Sequence, residues 1–518
     1  MQIEQRINGS QNSNMIMIVL DRMEGEMEIL NKKLTSKKER PVKVVQFGEG
    51  NFLRGFVDYM IDIANEEGCF DGDIVLVKPI EYGNLDLFHN QDCQYTVSLR
   101  GIADGEAKVL NRQVTSVSDV VDAYGEYDKY RKLSEIDTLR FVVSNTTEAG
   151  IVFDDMDRFE SNPPMTFPGK LTKFLFHRYE AFCGARDKGL VMLPVELIDD
   201  NGITLKKCVM QFLELWNLGD DFRSWVEEAC IFTSTLVDRI ITGYPKDNEQ
   251  EEWEKLGYED HIMVTGEPFA LWVIESEKDI SKEFALPEAG LPVIFTDNQK
   301  PYKQRKVRIL NGAHTSFVLA SYLAGNDTVK ESMEDEDICN FMTRTIFDEV
   351  IPTLTLPKAE LEAFAQAVIT RFNNPYVKHA LLSISLNSVS KWRARCLPSL
   401  LAYVEKTGEL PVHLTFSLAS LMAFYSGSEI RGKALIGERD GMEGGHSREY
   451  EILDDTNVLE FFRDHCKKDT REFVAAFLGS ESFFGQDLNK VEGLTDAVFS
   501  YLEDIRKNGM RNALCRIS

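Results

Sequence analysis

The sequence lacks an excess of positive charge, a paired-cysteine motif and a long apolar run near its beginning. Lysine and arginine number 58 against 84 aspartates and glutamates, and the net charge of −26 argues against a nucleic-acid or anionic-membrane partner. Nine cysteines are scattered with no Cys-x2-Cys pair, which favours reduced thiols in a cytoplasmic protein. The longest early apolar run, residues 15–20, is too short for a signal peptide or membrane span.

The chain has 518 residues, too many for one hydrophobic core, so at least two domains are expected. Residues 1–40 are polar and methionine-rich, and we interpret them as a tail, with Met27 a plausible natural start. Apolar strands alternating with helical patterns predict an α/β, Rossmann-like domain over residues 41–245. Helical periodicity then predicts a mostly α-helical C-terminal domain over residues 246–518, after an acidic run at residues 247–254.

A glycine-rich turn follows the first predicted strand, residues 42–47, and precedes a helical pattern. Such a turn lets the backbone approach a pyrophosphate, and the helix N-terminus favours its negative charge. The usual third glycine is absent, because Leu53 occupies its position and Gly55 comes two residues later. A simple tight turn therefore stays open as an alternative. The candidate coenzyme-binding residues here are Gly48, Gly50, Asn51, Phe52 and Arg54, the last adding charge near a phosphate.

Two later strand ends bear on the coenzyme. The second predicted strand ends in Lys78, where an acidic residue would bind the ribose hydroxyls of NAD. Glu81 follows only a few residues on, so the residues leave NAD and NADP open. The strand at residues 139–144 is followed by Thr147 and Glu148, which we predict to contact the coenzyme at the carboxyl edge of the sheet, with a plain turn as the alternative.

The segment from Lys306 to His314 has the residue types of alcohol–ketone chemistry on one predicted helix. At about 100° per residue, Lys306, His314 and Asn311 fit within an arc of roughly 140°. A desolvated lysine beside a cation such as Arg305 or Arg308 can act as a general base. An asparagine amide can hold an alkoxide, and a histidine can orient the substrate oxygen or pass a proton. Surface or capping roles are the ordinary alternative.

Three cations occur in five residues at Lys391, Arg393 and Arg395, which is conspicuous in so acidic a chain. We predict a pocket for a carboxylate here, since arginine suits bidentate contact; a solvated helix start is the alternative. Glu196, Asp199 and Asp200 form an acidic group without histidine or cysteine. We interpret it as a solvated turn, and no metal site is predicted.

The motif Lys-x4-Asn-x2-His resembles the catalytic signature of the long-chain polyol dehydrogenases, the mannitol dehydrogenase family. Gly-x-Gly-x-Phe-x-Arg at residues 48–54 is similar to the glycine turn of that family. Ser-Asn-Thr-Thr-Glu-Ala-Gly-Ile at residues 144–151 is similar to its uronate-reductase branch. The resemblance covers most of the chain after about residue 40.

The resemblance implies NAD as cofactor, Lys306 as general base and an oxyanion hole that contains Asn311. It also implies a second oxyanion asparagine, best matched by Asn201, although Val195-Glu196-Leu197 replaces the usual Cys-Asp-Asn. Lys391 matches a lysine of the family pattern, and Arg371 lies in an Arg-Phe-x-Asn-Pro turn typical of the family. The predicted substrate-binding residues are Arg371, Lys391 and Arg393.

The implied reaction is reversible, metal-independent hydride transfer between NAD and a secondary alcohol, with a small sugar acid as substrate. A polyol or polyol phosphate is an alternative substrate, and a nucleotide-binding protein without catalysis is an alternative class. We expect a monomer, with the oligomeric state left open.

Overall fold

The computed structural model describes residues 27–103, 105–147, 149–439 and 447–517. It divides into two compact units, the first comprising residues up to 99 and 109–297, the second residues 100–108 and 298–518. The boundary predicted at residue 245 thus falls inside the first unit, because the strands at Val264–Gly266 and Leu271–Glu275 pair with earlier strands of that unit. Of the predicted tail, residues 1–26 lie outside the described residues, and the remainder includes a short helix, Lys32–Thr35.

The first unit is built on a six-stranded parallel sheet. Its strands, in chain order, are β1 (Val42–Phe47), β2 (Asp73–Lys78), β5 (Val117–Asp122), β6 (Phe141–Ser144), β7 (Val191–Pro194) and β8 (Ile231–Phe232). The spatial order β5-β2-β1-β6-β7-β8 is the 3-2-1-4-5-6 order of dinucleotide-binding folds when these six strands are counted along the chain. The predicted Rossmann-like domain is confirmed.

Burial on both faces explains why these strands are nearly continuous apolar runs. Every residue of β2 is buried, and the Val and Ile side chains of β1 and β2 pack into cores on either side of the sheet. The helices and helical turns of this unit after Lys32–Thr35 are Asn51–Leu53, Arg54–Asp58, Tyr59–Glu66, Asp86–Asn90, Tyr127–Lys132, Leu133–Glu135, Phe167–Ala181, Arg186–Lys188, Asn201–Leu215, Asp220–Ala229, Glu249–Leu256 and Leu286–Ala289.

Two smaller sheets complete the first unit. One has the order β10-β11-β3-β4, from Ile241–Gly243, Val264–Gly266, Tyr95–Ala103 and Glu106–Val114. The other has the order β13-β12-β9, from Val293–Thr296, Leu271–Glu275 and Ser234–Asp238. The tip of the β3–β4 segment, residues 100–108, belongs by its contacts to the second unit.

The second unit is mostly helical, as predicted, with one small antiparallel sheet, β14 (Glu429–Arg431), β15 (Ala434–Arg439) and β16 (Arg448–Ile452). Its helices and helical turns are Lys300–Arg305, Lys306–Asn311, Gly312–Leu323, Val329–Glu334, Glu336–Arg344, Thr345–Val350, Ile351–Thr353, Lys358–Phe372, Leu381–Ile384, Ser388–Arg395, Leu397–Thr407, Val412–Phe424, Thr456–His465, Thr470–Leu478, Glu481–Phe484, Leu488–Lys490, Leu494–Asn508 and Met510–Cys515.

The helix predicted around Lys306 differs locally from an α-helix. Lys300–Arg305 and Gly312–Leu323 are α-helical, but Lys306–Asn311 between them is a π-helical turn. In a π-turn the backbone hydrogen bond joins residues five apart, so Lys306 and Asn311 lie about one turn apart on the same face. The arc predicted from α-helical spacing was therefore too wide. Such turns are frequent at functional sites.

Candidate active site

The glycine turn after β1 is closely packed at Gly48 and open at Gly50. Gly48 has a φ of +119°, and a Cβ there would meet the Asn145 carbonyl oxygen at 3.3 Å. A Cβ on Gly50 would meet no atom of the described residues within 4 Å, and Gly50 precedes the helix without a side-chain cap. A ligand can therefore reach the first backbone N–H groups of the helix from solvent, because residue 50 is exposed and has no side chain. This arrangement fits the pyrophosphate of a dinucleotide.

Gly55 takes over the packing role of the missing third glycine. A Cβ on Gly55 would lie 2.6 Å from Ile241 Cδ1 and 3.2 Å from Val264 Cγ1. The helix that begins at the glycine turn can therefore pack closely on β10 and β11. Leu53, at the usual glycine position, is instead buried against Gly48.

The Arg54 side chain makes its hydrogen bonds within the fold. Its side chain is buried, with Nε donating to the Glu49 carbonyl at 3.1 Å and Nη2 donating to Asn51 Oδ1 at 2.6 Å. A further bond joins its guanidinium to the Ile262 carbonyl. Arg54 and Asn51 thus hold the glycine turn in shape through these hydrogen bonds. Phe52 is part-buried and stacks on Phe56 with ring centroids 5.1 Å apart, so it too supports the turn.

The loop after β6 is held by a buried carboxylate. Glu196 accepts hydrogen bonds from the Thr146 backbone N–H and hydroxyl, both at 3.0 Å, and from Ser144 Oγ at 3.1 Å. Burial raises the pKa of Glu196 above its usual value. Thr147, the predicted coenzyme contact, is exposed with a φ of +72°, and Glu148 lies outside the described residues. The solvated role predicted for Glu196 is wrong, because the carboxylate anchors this loop.

Asn201 occupies a structural position. Its side chain is 0% exposed, and its amide nitrogen donates to the Pro194 and Glu196 carbonyls, both at 3.0 Å. Its Oδ1 accepts from the backbone N–H groups of Gly202 and Thr235, both at 2.9 Å. Both ends of the amide are used to join the end of β7 to β9. Asn201 was predicted for the oxyanion hole, but its amide N–H groups already donate to these carbonyls.

The π-turn places Lys306 and Asn311, both part-buried, on the helix that carries His314. The His314 ring packs on Phe372 with centroids 4.2 Å apart. Its Nε2 is buried, with no hydrogen-bond partner among the described residues. A buried, unpartnered ring nitrogen beside a helix with these residue types is available to a ligand.

Cations surround His314. Burial and the nearby charges of His379, Arg371, Arg395 and Lys391 hold the pKa of His314 well below its usual value. We call Arg371, Lys391 and Arg395 the cationic cluster. The His379 ring lies 5.4 Å from the His314 ring, and Arg395 Nη1 donates to Thr315 Oγ1 at 3.3 Å, one residue along the same helix.

Lys391 belongs to the cationic cluster and donates to the Ile384 carbonyl at 2.9 Å. Burial lowers the pKa of Lys391, and the charge of Arg395 lowers it further. The structure thus brings the predicted Arg371 and Lys391 together and adds Arg395 and His379. A concentration of partly desolvated positive charge of this kind favours an anion.

Arg393, also predicted to bind substrate, lies elsewhere. It is exposed, and its Nη2 would be 2.7 Å from a Cβ on Gly485, so it packs against the turn after Glu481–Phe484. Helical spacing explains the difference, since Lys391 and Arg395 are four residues apart on Ser388–Arg395 and Arg393 is midway between them.

Of the two cations expected to assist Lys306, Arg305 is paired. It is buried, forms an ion pair with Glu360 and lies over the Phe364 ring at 4.5 Å. Its charge is therefore largely compensated, which leaves Arg308 as the candidate. Arg308 is part-buried, and burial lowers its pKa.

Within the residues that the structure describes, no three His, Cys, Asp or Glu side chains come together to hold a metal ion. Over the same ranges, no helix is both long enough and apolar enough to span a bilayer. All nine cysteines are free thiols.

A dinucleotide-binding sheet and a helix carrying lysine, asparagine and histidine define the class of the protein as an oxidoreductase. Family models for the mannitol dehydrogenase Rossmann domain and the mannitol dehydrogenase C-terminal domain match residues 42–288 and 298–506. The chain belongs to the mannitol dehydrogenase family.

Curated relatives match over nearly their whole length. An altronate oxidoreductase of Phocaeicola vulgatus is 43% identical over 93% of this chain and 98% of its own. One of Escherichia coli is 43% identical over 94% of this chain and 99% of its own.

Two solved structures share the fold. A D-sorbitol dehydrogenase in substrate-free form has a TM-score of 0.75 at 21% identity, covering 94% of this chain and all of its own. A Pseudomonas fluorescens mannitol 2-dehydrogenase, solved with NAD and D-mannitol, has a TM-score of 0.63 at 21% identity, covering 95% and 99%.

Proposed function

We propose that this protein is an NAD-dependent altronate oxidoreductase that reduces D-tagaturonate to D-altronate and catalyses the reverse reaction. The similarity to curated altronate oxidoreductases over nearly the full length supports the choice within the family. The observation in the structure that carries the proposal is the cationic cluster near His314, in which Arg395 donates to Thr315 on the His314 helix and Lys391 lies one turn before Arg395. A chain of net charge −26 gathers these cations beside the helix of Lys306, where an acidic sugar needs them.

The glycine turn at Gly48 and Gly50 binds the pyrophosphate of NAD through backbone N–H groups and the helix N-terminus. NADH, when bound, supplies the hydride that the carbonyl carbon of the substrate accepts. Arg54 and Asn51 act indirectly, because their side chains hold the turn in shape. Thr147 stays a predicted coenzyme contact at the exposed end of β6.

Lys306 acts as the general acid in reduction and as the general base in oxidation. In reduction its ammonium gives a proton to the carbonyl oxygen as the carbon accepts the hydride, and a secondary alcohol results. In oxidation the neutral amine takes the hydroxyl proton. Asn311 donates a hydrogen bond to the developing oxyanion, and His314 orients the same oxygen through its unpartnered Nε2.

Arg371, Lys391 and Arg395 bind the substrate carboxylate. Arginine side chains can contact a carboxylate through two parallel N–H bonds, which fixes its orientation as well as its charge. His379 lies beside His314, and burial lowers the pKa of His379, which favours its neutral form. These positive charges attract a carboxylate and gain little from a neutral polyol, so we propose that the protein favours the acid.

The test is an NADH-oxidation assay with D-tagaturonate, D-fructuronate and D-fructose under identical conditions. We expect the highest kcat/KM with tagaturonate and the lowest with fructose. A preference for fructuronate would assign the protein to fructuronate reduction, and a preference for fructose to mannitol-type chemistry. NADH binding without turnover on any of the three would instead support a non-catalytic nucleotide-binding protein.

We also propose a cytoplasmic location, which the nine free cysteines support, since thiols stay reduced in that compartment. The proposed partner is the sugar acid alone, with a monomer as the expected state; light scattering of the purified chain would test the latter.

A further inference from the structure

A buried lysine is the last residue of β2, a position where dinucleotide-binding folds usually have an aspartate or glutamate. Lys78, the last residue of β2, is 1% exposed. Its Nζ donates to the carbonyl oxygens of Ile80, Glu81, Tyr82 and Gly83 at 3.1, 3.4, 3.2 and 3.1 Å. The Asp122 Oδ2 lies 3.0 Å from the same nitrogen. An ammonium has three protons, so these five oxygens saturate it. We call Lys78, these carbonyls and Asp122 the lysine cage.

The lysine cage adjoins the glycine turn. Lys78 and Asp122 are neighbours across the β2–β5 pairing, at the carboxyl edge of the sheet. The Gly48 backbone N–H donates to the Val77 carbonyl at 2.9 Å, one residue before Lys78. Burial raises the pKa of Glu49, within the glycine turn, while the charge of Lys78 acts on it in the opposite direction. The cage therefore lies where the adenosine ribose of a dinucleotide meets the sheet.

Asp122 provides the accessible negative charge of the cage. Its side chain is 25% exposed. Burial alone would raise its pKa, but hydrogen bonds from the Gly125 backbone, Lys78 and the Tyr124 backbone hold that pKa below its usual value. The carboxylate is therefore ionised at neutral pH. It can accept a hydrogen bond from a ribose hydroxyl, and it repels a phosphate.

We propose that Asp122, paired with the caged Lys78, replaces the usual acid at the end of β2 and selects the 2′-hydroxyl of NAD against the 2′-phosphate of NADP. Lys78 has the charge to bind a 2′-phosphate, but its protons are directed at the loop carbonyls and at Asp122. The basic residue at this position thus does not favour NADP. This inference rests on the proposed role of the first unit in NAD binding.

The test measures nucleotide binding by calorimetry, with adenosine 5′-monophosphate and adenosine 2′,5′-bisphosphate as probes of the full chain. Asp122→Asn keeps a side-chain oxygen for the backbone N–H groups and removes the charge. We expect the parent to prefer the monophosphate, and D122N to shift the affinity ratio toward the bisphosphate by about tenfold or more, the range of one charge-assisted hydrogen bond. An unchanged ratio in a D122N protein that melts like the parent would overturn the proposal.

The matched control is Asp119→Asn, which removes a carboxylate from the same strand β5. Asp119 pairs with Lys129 at 2.9 Å, away from the cage, so D119N should leave the ratio unchanged. The double variant Lys78→Met with Asp122→Asn tests the lysine. Persistence of the gain seen in D122N supports repulsion of the phosphate by the Asp122 charge, whereas loss of the gain would show that the Lys78 ammonium is available to a phosphate and would overturn the cage. Because the probes contain no sugar acid, these results do not depend on whether tagaturonate is the substrate.

Discussion

The coenzyme side of the first unit and the substrate side of the second use charged and polar residues in opposite ways. Around the glycine turn, Arg54 and Lys78 donate most of their hydrogen bonds to backbone carbonyls inside the fold. Around His314, by contrast, the cations gather beside a buried nitrogen that has no partner among the described residues. A pyrophosphate can be bound by backbone N–H groups, which any sequence has, so side chains there serve to shape the backbone. A sugar carboxylate needs side chains of the right charge.

The largest expected effect is on the substrate side, at Lys306. Lys306→Ala should reduce kcat by about 10²- to 10⁴-fold, the usual contribution of a general acid–base, while NADH affinity stays the same. Steady-state kinetics and NADH fluorescence titration measure the two quantities. Lys300→Ala, at an exposed residue in the first turn of the same helical segment, is the control and should retain activity. Turnover retained in K306A would remove Lys306 from the mechanism.

The second largest expected effect distinguishes Arg395 from Arg393, two arginines of the helix Ser388–Arg395. Arg395→Met should lower kcat/KM for tagaturonate by about 10- to 100-fold, as expected for a lost charge-assisted hydrogen bond, with little change for fructose. Arg393→Met should stay within about twofold of the parent, because exposed charges contribute little. The comparison breaks down if R393M is the more damaging variant, or if R395M affects the acid and the neutral sugar equally.

On the coenzyme side, the expected effect comes from one methyl group. Gly50→Ala should weaken NADH binding by about tenfold, or about 1.4 kcal/mol, because the added carbon occupies the approach to the backbone. The melting temperature should change little, since Gly50 has a φ of −68° that alanine tolerates. Gly48→Ala, at a φ of +119° and tight against the Asn145 carbonyl, should instead lower the melting temperature. Unaltered NADH affinity in G50A would argue against a pyrophosphate at this turn.

The smallest effect is a pH dependence of stability in the first unit. Asp58 is fully buried and accepts a hydrogen bond from the Tyr95 hydroxyl at 2.6 Å, and burial raises its pKa to about 7. The folded pKa lies above the unfolded value of about 3.9, so the stabilisation that the protonated form provides is present below about pH 4 and is lost as the pH rises to about 7. Asp58→Asn should therefore melt higher than the parent by a few °C at pH 8 and by less at pH 5.

Differential scanning calorimetry from pH 5 to pH 8 measures this effect. Asp86→Asn, at an exposed carboxylate, is the control and should show no such trend. A D58N advantage that is constant with pH would mean that Asp58 does not titrate on folding in this range.

The sequence predicted the sheet and the helical second domain well, because buried parallel strands such as β2 are apolar throughout and helices repeat their pattern. Its prediction that Arg371 and Lys391 bind the substrate stays a prediction, and the charges of both residues act on His314. Helical spacing favours Arg395 over Arg393 as the neighbour of Lys391, since residues four apart on a helix share a face and residues two apart do not.

Other features were beyond sequence reasoning. The amide of Asn201 donates to carbonyls of two separate segments, Pro194 and Glu196 in one and Thr235 in the other, which only tertiary structure brings together. The saturation of Lys78 depends on the path of residues 80–83, and the π-turn at Lys306–Asn311 has no composition of its own. At Asn201 and Lys78 the residue type indicated a polar or charged group, but not what that group contacts.

The most direct test of the account is a crystal structure of the protein with NAD and D-altronate. We predict that Lys306 Nζ lies within hydrogen-bond distance of the reacting hydroxyl and that the carboxylate contacts Arg371 and Arg395, with His314 Nε2 on the substrate. A carboxylate bound at Arg393, or a Lys306 ammonium directed to bulk water, would contradict it.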